Sequence, residues 1–196
     1  LYPRVHPAPM ETCGTVASMD PVTGKLLVYS TNQAPHAHRT IYALVAGIPE
    51  HKIQIISPDI GGGFGNKVGI YPGYVLAVVG SIVTGRPVKW MEDRSENLMA
   101  TSFARDYHMS RSIAATKDGT LTHCRARVKA AMGAYLQLVT PGIPLLRAWI
   151  YAGPYAIPNY SVEFTGVFTN TTPTDAYRGA GRPEACLLYT SPSPRD

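Results

Sequence analysis

Four of the five residues from Gly61 to Gly65 are glycine, and the stretch runs on through Asn66 and Lys67 toward an apolar helical segment. So bare a backbone between regular elements forms a tight turn, and it lets a ligand or another segment approach the main chain closely. Before it, Lys52 to Ile56 (KIQII) reads as a strand; after it, Tyr74 to Val83 reads as a helix ended by Gly85. Upstream, Lys25 to Ser30 (KLLVYS) reads as another strand. Pro35 then opens a helix in which Ile41, Leu44 and Val45 recur at helical spacing before Gly47 stops it. Val88 to Trp90 supplies a further strand, and this alternation predicts an α/β start.

From Tyr107 onward the texture changes. Met109 to Ala115 and Leu121 to Ala130 flank Lys117-Asp118-Gly119 and predict a hairpin. Prolines and glycines scattered between Gln137 and Pro158 predict a long irregular segment, and Ser161 to Thr169 alternates like a last strand. The 45% hydrophobic and 16% charged content excludes wholesale disorder. A net charge of +5 without any basic cluster argues against nucleic-acid binding. The longest apolar stretch, Gly73 to Gly85, is well short of the roughly 20 residues of a spanning helix, so no membrane span is expected. Cys13, Cys124 and Cys186 lack metal-ligand spacing and predict free thiols in a reducing compartment.

Three places have residues suited to chemistry. The glycine stretch fails the phosphate-loop pattern, because Lys67 follows Asn66 rather than a glycine, and it fails the dinucleotide pattern, whose sixth position is here Asn66. What remains is a glycine turn ahead of a helix N-terminus, whose amides suit an anionic or oxo ligand, or a merely structural turn. In Asp175 to Ala185 (DAYRGAGRPEA), Arg178 and Arg182 flank Gly179 and Gly181, which suits an oxyanion or phosphate as well as it suits a plain surface turn. Gln33, in TNQAPH, offers either a buried amide donor or a capping residue. His36 and His38 read as ordinary helix residues. Glu92, Asp93, Arg94 and Glu96 read as a solvated ion-pair turn.

Taken in order, HPAPMETCG, TNQAPH, PDIGGGFGNK, VKWMEDRSENLM with FARDYHM, and AYRGAGRPEA resemble the molybdenum-binding large subunit of the xanthine dehydrogenase and aldehyde oxidase family, and within it the carbon monoxide dehydrogenase branch. The resemblance implies an α+β fold, with the mixed sheets and helices of a molybdenum-cofactor-binding domain, present here only in part. It implies that Gln33 donates to an oxo group on molybdenum, that Gly62, Gly63, Phe64 and Gly65 line the metal and pterin, and that Tyr177, Arg178 and Gly179 lie across from them. No protein side chain is expected to ligate the metal. The implied cofactor is molybdenum-molybdopterin cytosine dinucleotide. An iron-sulphur small subunit with 2Fe-2S centres and an FAD-binding medium subunit are the implied electron acceptors, in a cytoplasmic dimer of heterotrimers that attaches to a membrane at most peripherally. The implied reaction oxidises a small substrate with oxygen from water.

Two departures qualify this. Copper-containing members have Tyr-Arg-Cys-Ser-Phe-Arg, with the cysteine on copper; here Gly179 stands at that position, so no copper is expected, and an aldehyde or nitrogen heterocycle competes with carbon monoxide as substrate. The family's general-base glutamate lies near the end of the full subunit and is not among these residues, so the chain by itself is expected to be inactive. Cys186 to Asp196 (CLLYTSPSPRD) is also the translation of a common transposase sequencing adapter, so residues 186–196 are expected to be adapter, and 1–185 part of the cofactor-binding domain. The alternative outside enzymology is a stand-alone binding or structural domain.

Overall fold

A strand that the sequence reading passes over lies at the centre of the first sheet in the computed structural model, which describes residues 3–190 and, for 188–190, the backbone alone. This strand, β1 (Gly14–Met19), pairs antiparallel with both β2 (Leu26–Ser30) and β4 (Val88–Met91), while β2 pairs parallel with β3 (Ile53–Ile56). The order is β3-β2-β1-β4, a mixed sheet of the kind the resemblance implies. β1 was missed because its sequence, GTVASM, uses small residues; a side chain on Gly14 would run into the Met91 sulphur.

Helices α1 (Pro35–Ala46) and α2 (Pro72–Thr84) each open on proline at the first turn and close on a left-handed glycine, Gly47 and Gly85. In α1 the buried side chains are His38 and Tyr42, whereas Leu44 and Val45 of the apolar spacing are exposed. The core joins Leu26, Val28 and Ala17 of the sheet to Tyr42, Tyr74 and Val78 of the helices. Each large side chain buried there contributes about 1.5–3 kcal/mol of transfer free energy. A short helix, α3 (Arg94–Ala100), completes this unit, residues 7–101.

The remaining described residues, 3–6 with 102–190, form a second unit. Its sheet is β5 (Tyr107–Ala115), β6 (Leu121–Gly133) and β7 (Asn159–Phe168). The hairpin turns at Gly119 (φ +90°) as its Lys-Asp-Gly signal predicts, and β7 returns parallel to β6. The connection is not wholly irregular, because it contains α4 (Gly142–Ala148), whose early Pro144 disguises it. Helix α5 (Arg182–Thr190) crosses from Ala185 into the residues read as adapter, with Cys186 and Leu187 exposed; residues 191–196 and the side chains of Leu188 and Tyr189 lie outside the described residues. Among the described residues no helix is long and apolar enough to cross a membrane.

Candidate functional site

The glycine stretch and the residue after β2 are joined by a clamp around one side chain. Gln33 Oε1 accepts from the backbone amides of Gly65 (2.9 Å) and Lys67 (3.3 Å), and the backbone N–H of Gln33 donates to the Lys67 carbonyl (2.9 Å). Two backbone donors on the oxygen fix which end of the amide is which. Nε2 is thereby left as the outward donor on an exposed side chain. The sequence expectation of a buried amide is therefore corrected: Gln33 is exposed, and its orientation comes from the loop rather than from burial. Gly63 is required here by space, since a Cβ would lie 2.4 Å from Gln33 Cδ and 2.5 Å from Oε1. Phe64, in the left-handed region at φ +52°, leaves its ring 43% exposed beside the loop.

The expectation of free helix-terminal amides also fails. Helix α2 begins only at Pro72, and the Gly65 and Lys67 amides are used on Gln33. Lys67 is fully buried and paired with Glu11 at 2.6 Å, so it is no phosphate lysine. Glu11 also accepts from the Gly61 amide (2.8 Å). Partial burial alone would raise its pKa, but the bonds from Lys67 and Gly61 outweigh that and hold it below the ordinary carboxylate value. On the inner side, buried Asn66 donates to Thr101 Oγ1 (2.8 Å) and accepts from Asn97 Nδ2 (3.2 Å), and Asn97 also donates to buried Glu92.

That network overturns the reading of residues 92–96 as a solvated ion-pair turn. Asp93 and Glu96 form the capping box of α3, Glu92 accepts from the Cys13 amide (2.7 Å), and Arg94 donates to Asn97 and to the carbonyls of Pro9 and Met10. The signal was present, as Asp-x-x-Glu ahead of an apolar helix start is a helix-opening pattern. His36 and His38 both lie in α1, and His38 is buried between Tyr42 Oη (3.4 Å) and the Val68 carbonyl (3.2 Å). Cys13 and Cys124 are free and buried, as expected.

In the other unit, Tyr177 to Gly181 is a turn with Gly179, Ala180 and Gly181 all at positive φ (+99°, +44°, +97°). Arg178 and Gly179 are exposed and Tyr177 is half-buried. A Cβ on Gly179 would meet Pro183 Cδ at 2.7 Å. Gln33 and the glycine loop are thus brought together within one unit, while Tyr177, Arg178 and Gly179 belong to the other. Sequence reasoning missed Arg105, Arg147 and Glu184, a buried ion cluster next to this turn.

Asp175, just before the turn, is buried, with Oδ1 accepting from the Ala176 amide (2.8 Å) and Oδ2 buried without a partner among the described residues. Burial pushes its carboxyl up to about 6, against the opposing pull of the Ala176 and Val139 amides. The folded chain therefore holds a proton that the unfolded chain releases near pH 4, so stability falls as pH rises from about 4 to about 7. Asp175→Asn removes this loss: denaturant unfolding of the chain at pH 7.5 gains about 1–3 kcal/mol, and at pH 4 gains little. An equal effect at both pH values contradicts the assignment.

The first unit thus carries a glutamine side-chain amide oriented by a glycine loop beside a mixed sheet. Residues 1–191 match the molybdopterin cofactor-binding domain family, and the chain belongs to it. It is 56% identical over 179 residues to the carbon monoxide dehydrogenase large chain of Hydrogenophaga pseudoflava, covering 90% of this chain and 22% of that protein. It is 36% identical over 193 residues to the nicotine 6-hydroxylase large subunit of Paenarthrobacter nicotinovorans, covering 96% and 23%. Among solved structures, a Cu,Mo carbon monoxide dehydrogenase in its carbon monoxide-reduced state aligns with a TM-score of 0.85 at 51% identity, over 95% of this chain and 24% of that one. The aldehyde oxidoreductase of Desulfovibrio gigas aligns with a TM-score of 0.86 at 27% identity, over 94% and 20%. The chain thus spans less than a quarter of the length of these relatives.

Proposed function

We propose that this chain is part of the large subunit of a molybdenum hydroxylase, that Gln33 with Gly62 to Gly65 is a cofactor-binding surface of the first unit, and that Tyr177 to Gly179 is a cofactor-binding turn of the second. The observation that carries the reading is the clamped glutamine. With Oε1 held by Gly65 and Lys67, Nε2 is a preorganised donor on a surface from which Gly63 excludes any side chain. Such a surface fits a planar, acceptor-rich group held by amide and backbone donors, and the residues present match the family's cofactor on that ground.

When bound, the molybdenum-molybdopterin group, here taken as the cytosine dinucleotide form, supplies the two-electron acceptor at which oxygen from water is passed to substrate. This chain's residues do the holding. Gln33 Nε2 would donate to an acceptor of the group, Gly62, Gly63 and Gly65 would let the backbone come close, and Phe64 would provide an apolar wall beside it. On the second unit, Tyr177 would offer the cofactor an aromatic ring and Arg178 a guanidinium. The general base lies elsewhere in the subunit, and electrons leave through iron-sulphur and FAD-bearing partner chains. Residues 186–196 are assigned to translated adapter. The complex is a cytoplasmic dimer of heterotrimers.

A copper-free site follows from one position. Gly179 has no thiol, and its φ of +99° together with Pro183 leaves no room for one without strain. This favours an aldehyde or nitrogen heterocycle over carbon monoxide as substrate, although the framework is most like carbon monoxide dehydrogenases among the relatives given above. In the complete complex, metal analysis is expected to find stoichiometric molybdenum and no stoichiometric copper. Gly179→Cys is expected to gain neither copper nor carbon monoxide-dependent dye reduction, because Ala180, Gly181 and Arg182 stand where copper members have Ser-Phe-Arg. Stoichiometric copper in the unaltered enzyme overturns this reading.

A further inference from the structure

The FARDYHM motif and the last part of AYRGAGRPEA have no role in the site as described, yet their charged residues meet inside the second unit. Glu184 Oε1 accepts from Arg147 Nη2 (2.8 Å) and pairs with Arg105 Nη1 (3.4 Å), all three side chains being 95% buried or more. Arg105 then reaches the turn directly: Nη2 donates to the Arg178 carbonyl (3.0 Å), and its guanidinium lies 4.8 Å from the centre of the Tyr177 ring. Arg147 holds the far end, since it packs so closely on Gly181 that a Cβ there would lie 2.5 Å from Arg147 Cγ. Its guanidinium rests 3.5 Å from the Tyr107 ring centre, which fixes it to β5. Arg105 and its neighbour Asp106 both sit in the left-handed region (φ +71° and +69°), a conformation kept only where surrounding contacts impose it.

We infer that Glu184, by gathering Arg105 and Arg147, is a positioning residue for the Tyr177–Gly179 turn, and that the ion cluster sets where this turn presents itself to the cofactor. The inference rests on the proposed reading of that turn as a cofactor wall. Two flexible cations alone would repel each other; the shared carboxylate turns them into fixed clamps on both ends of one turn. A cluster that only stabilised the unit would have no reason to hold the Arg178 carbonyl and the Tyr177 ring through the same guanidinium.

Hydrogen exchange of the full-length subunit tests this, in cofactor-free and cofactor-loaded forms, with Glu184→Gln and Arg105→Lys. The lysine keeps the charge but loses the fork and the stacking plane, and it decides the matter should the Glu184 variant fail to fold. The cofactor-free variants are expected to exchange roughly 10-fold faster in the peptide 176–182, with β5 to β7 unchanged. Wild-type exchange in that peptide, or acceleration spread equally through the sheet, overturns the positioning role. Loading the wild-type subunit is expected to protect the same peptide further, and Arg105→Lys to lose that protection. No protection on loading, with the cofactor-free contrast intact, overturns the turn's place at the cofactor and leaves its positioning established.

Discussion

Gln33→Ala in the complete enzyme lowers kcat by roughly 10- to 1000-fold, the scale of a single preorganised donor removed from a charge-stabilising site. The molybdenum content changes little, because one side-chain amide is a small share of the contacts that hold a dinucleotide cofactor. The effect is on turnover because the donor is held in place before reaction: Gly65 and Lys67 fix Oε1, so Nε2 costs no reorganisation when charge develops beside it. Steady-state kinetics on molybdenum-normalised enzyme measures it. A kcat within a factor of two of wild type, an arbitrary limit set well below the range expected for donor loss, sinks the role given to Gln33.

Gly63→Ala is expected to give the same defect without touching the glutamine. The new methyl would collide with Gln33 Cδ and Oε1, the mobile end of that side chain, and Gly63 is not at positive φ, so the backbone tolerates alanine. Gln33 swings away, the bonds from Gly65 and Lys67 are lost, and stability falls by only about 1–2 kcal/mol. Activity falls much further, since displacing a catalytic contact by about 1 Å can cost on the order of 100-fold. Because both changes remove one donor, the double variant Gln33→Ala/Gly63→Ala is expected to be no slower than the worse single variant. Multiplying defects in that cycle contradict the clamp.

The resemblance carried by five ordered motifs was legible in the sequence, and the regular elements with strong apolar or turn signals were legible with it: β2, α1, α2 and the β5–β6 hairpin. What escaped was whatever depends on a partner distant in sequence. β1 is a central strand made of small residues, selected by what packs on it from β2 and β4 rather than by its own propensity. In α1 the core face falls on His38 and Tyr42 because α2 brings Tyr74 against them, which spacing alone cannot reveal. That Lys67 is buried against Glu11, fifty-six residues earlier in the chain, has no signal in the residues around the glycines. Glu184 carries no signal of its own in the sequence; its role depends on Arg105 and Arg147 converging on it.

A structure of the complete, cofactor-loaded complex is the most direct test of Gln33 and the glycine loop as a binding surface for the molybdenum group. Gln33 Nε2 is expected at about 3 Å from an acceptor on that group, with Gly63 and Gly65 beside it and no copper at Gly179. A bound cofactor with Gln33 and the glycine loop far from the molybdenum group contradicts that reading.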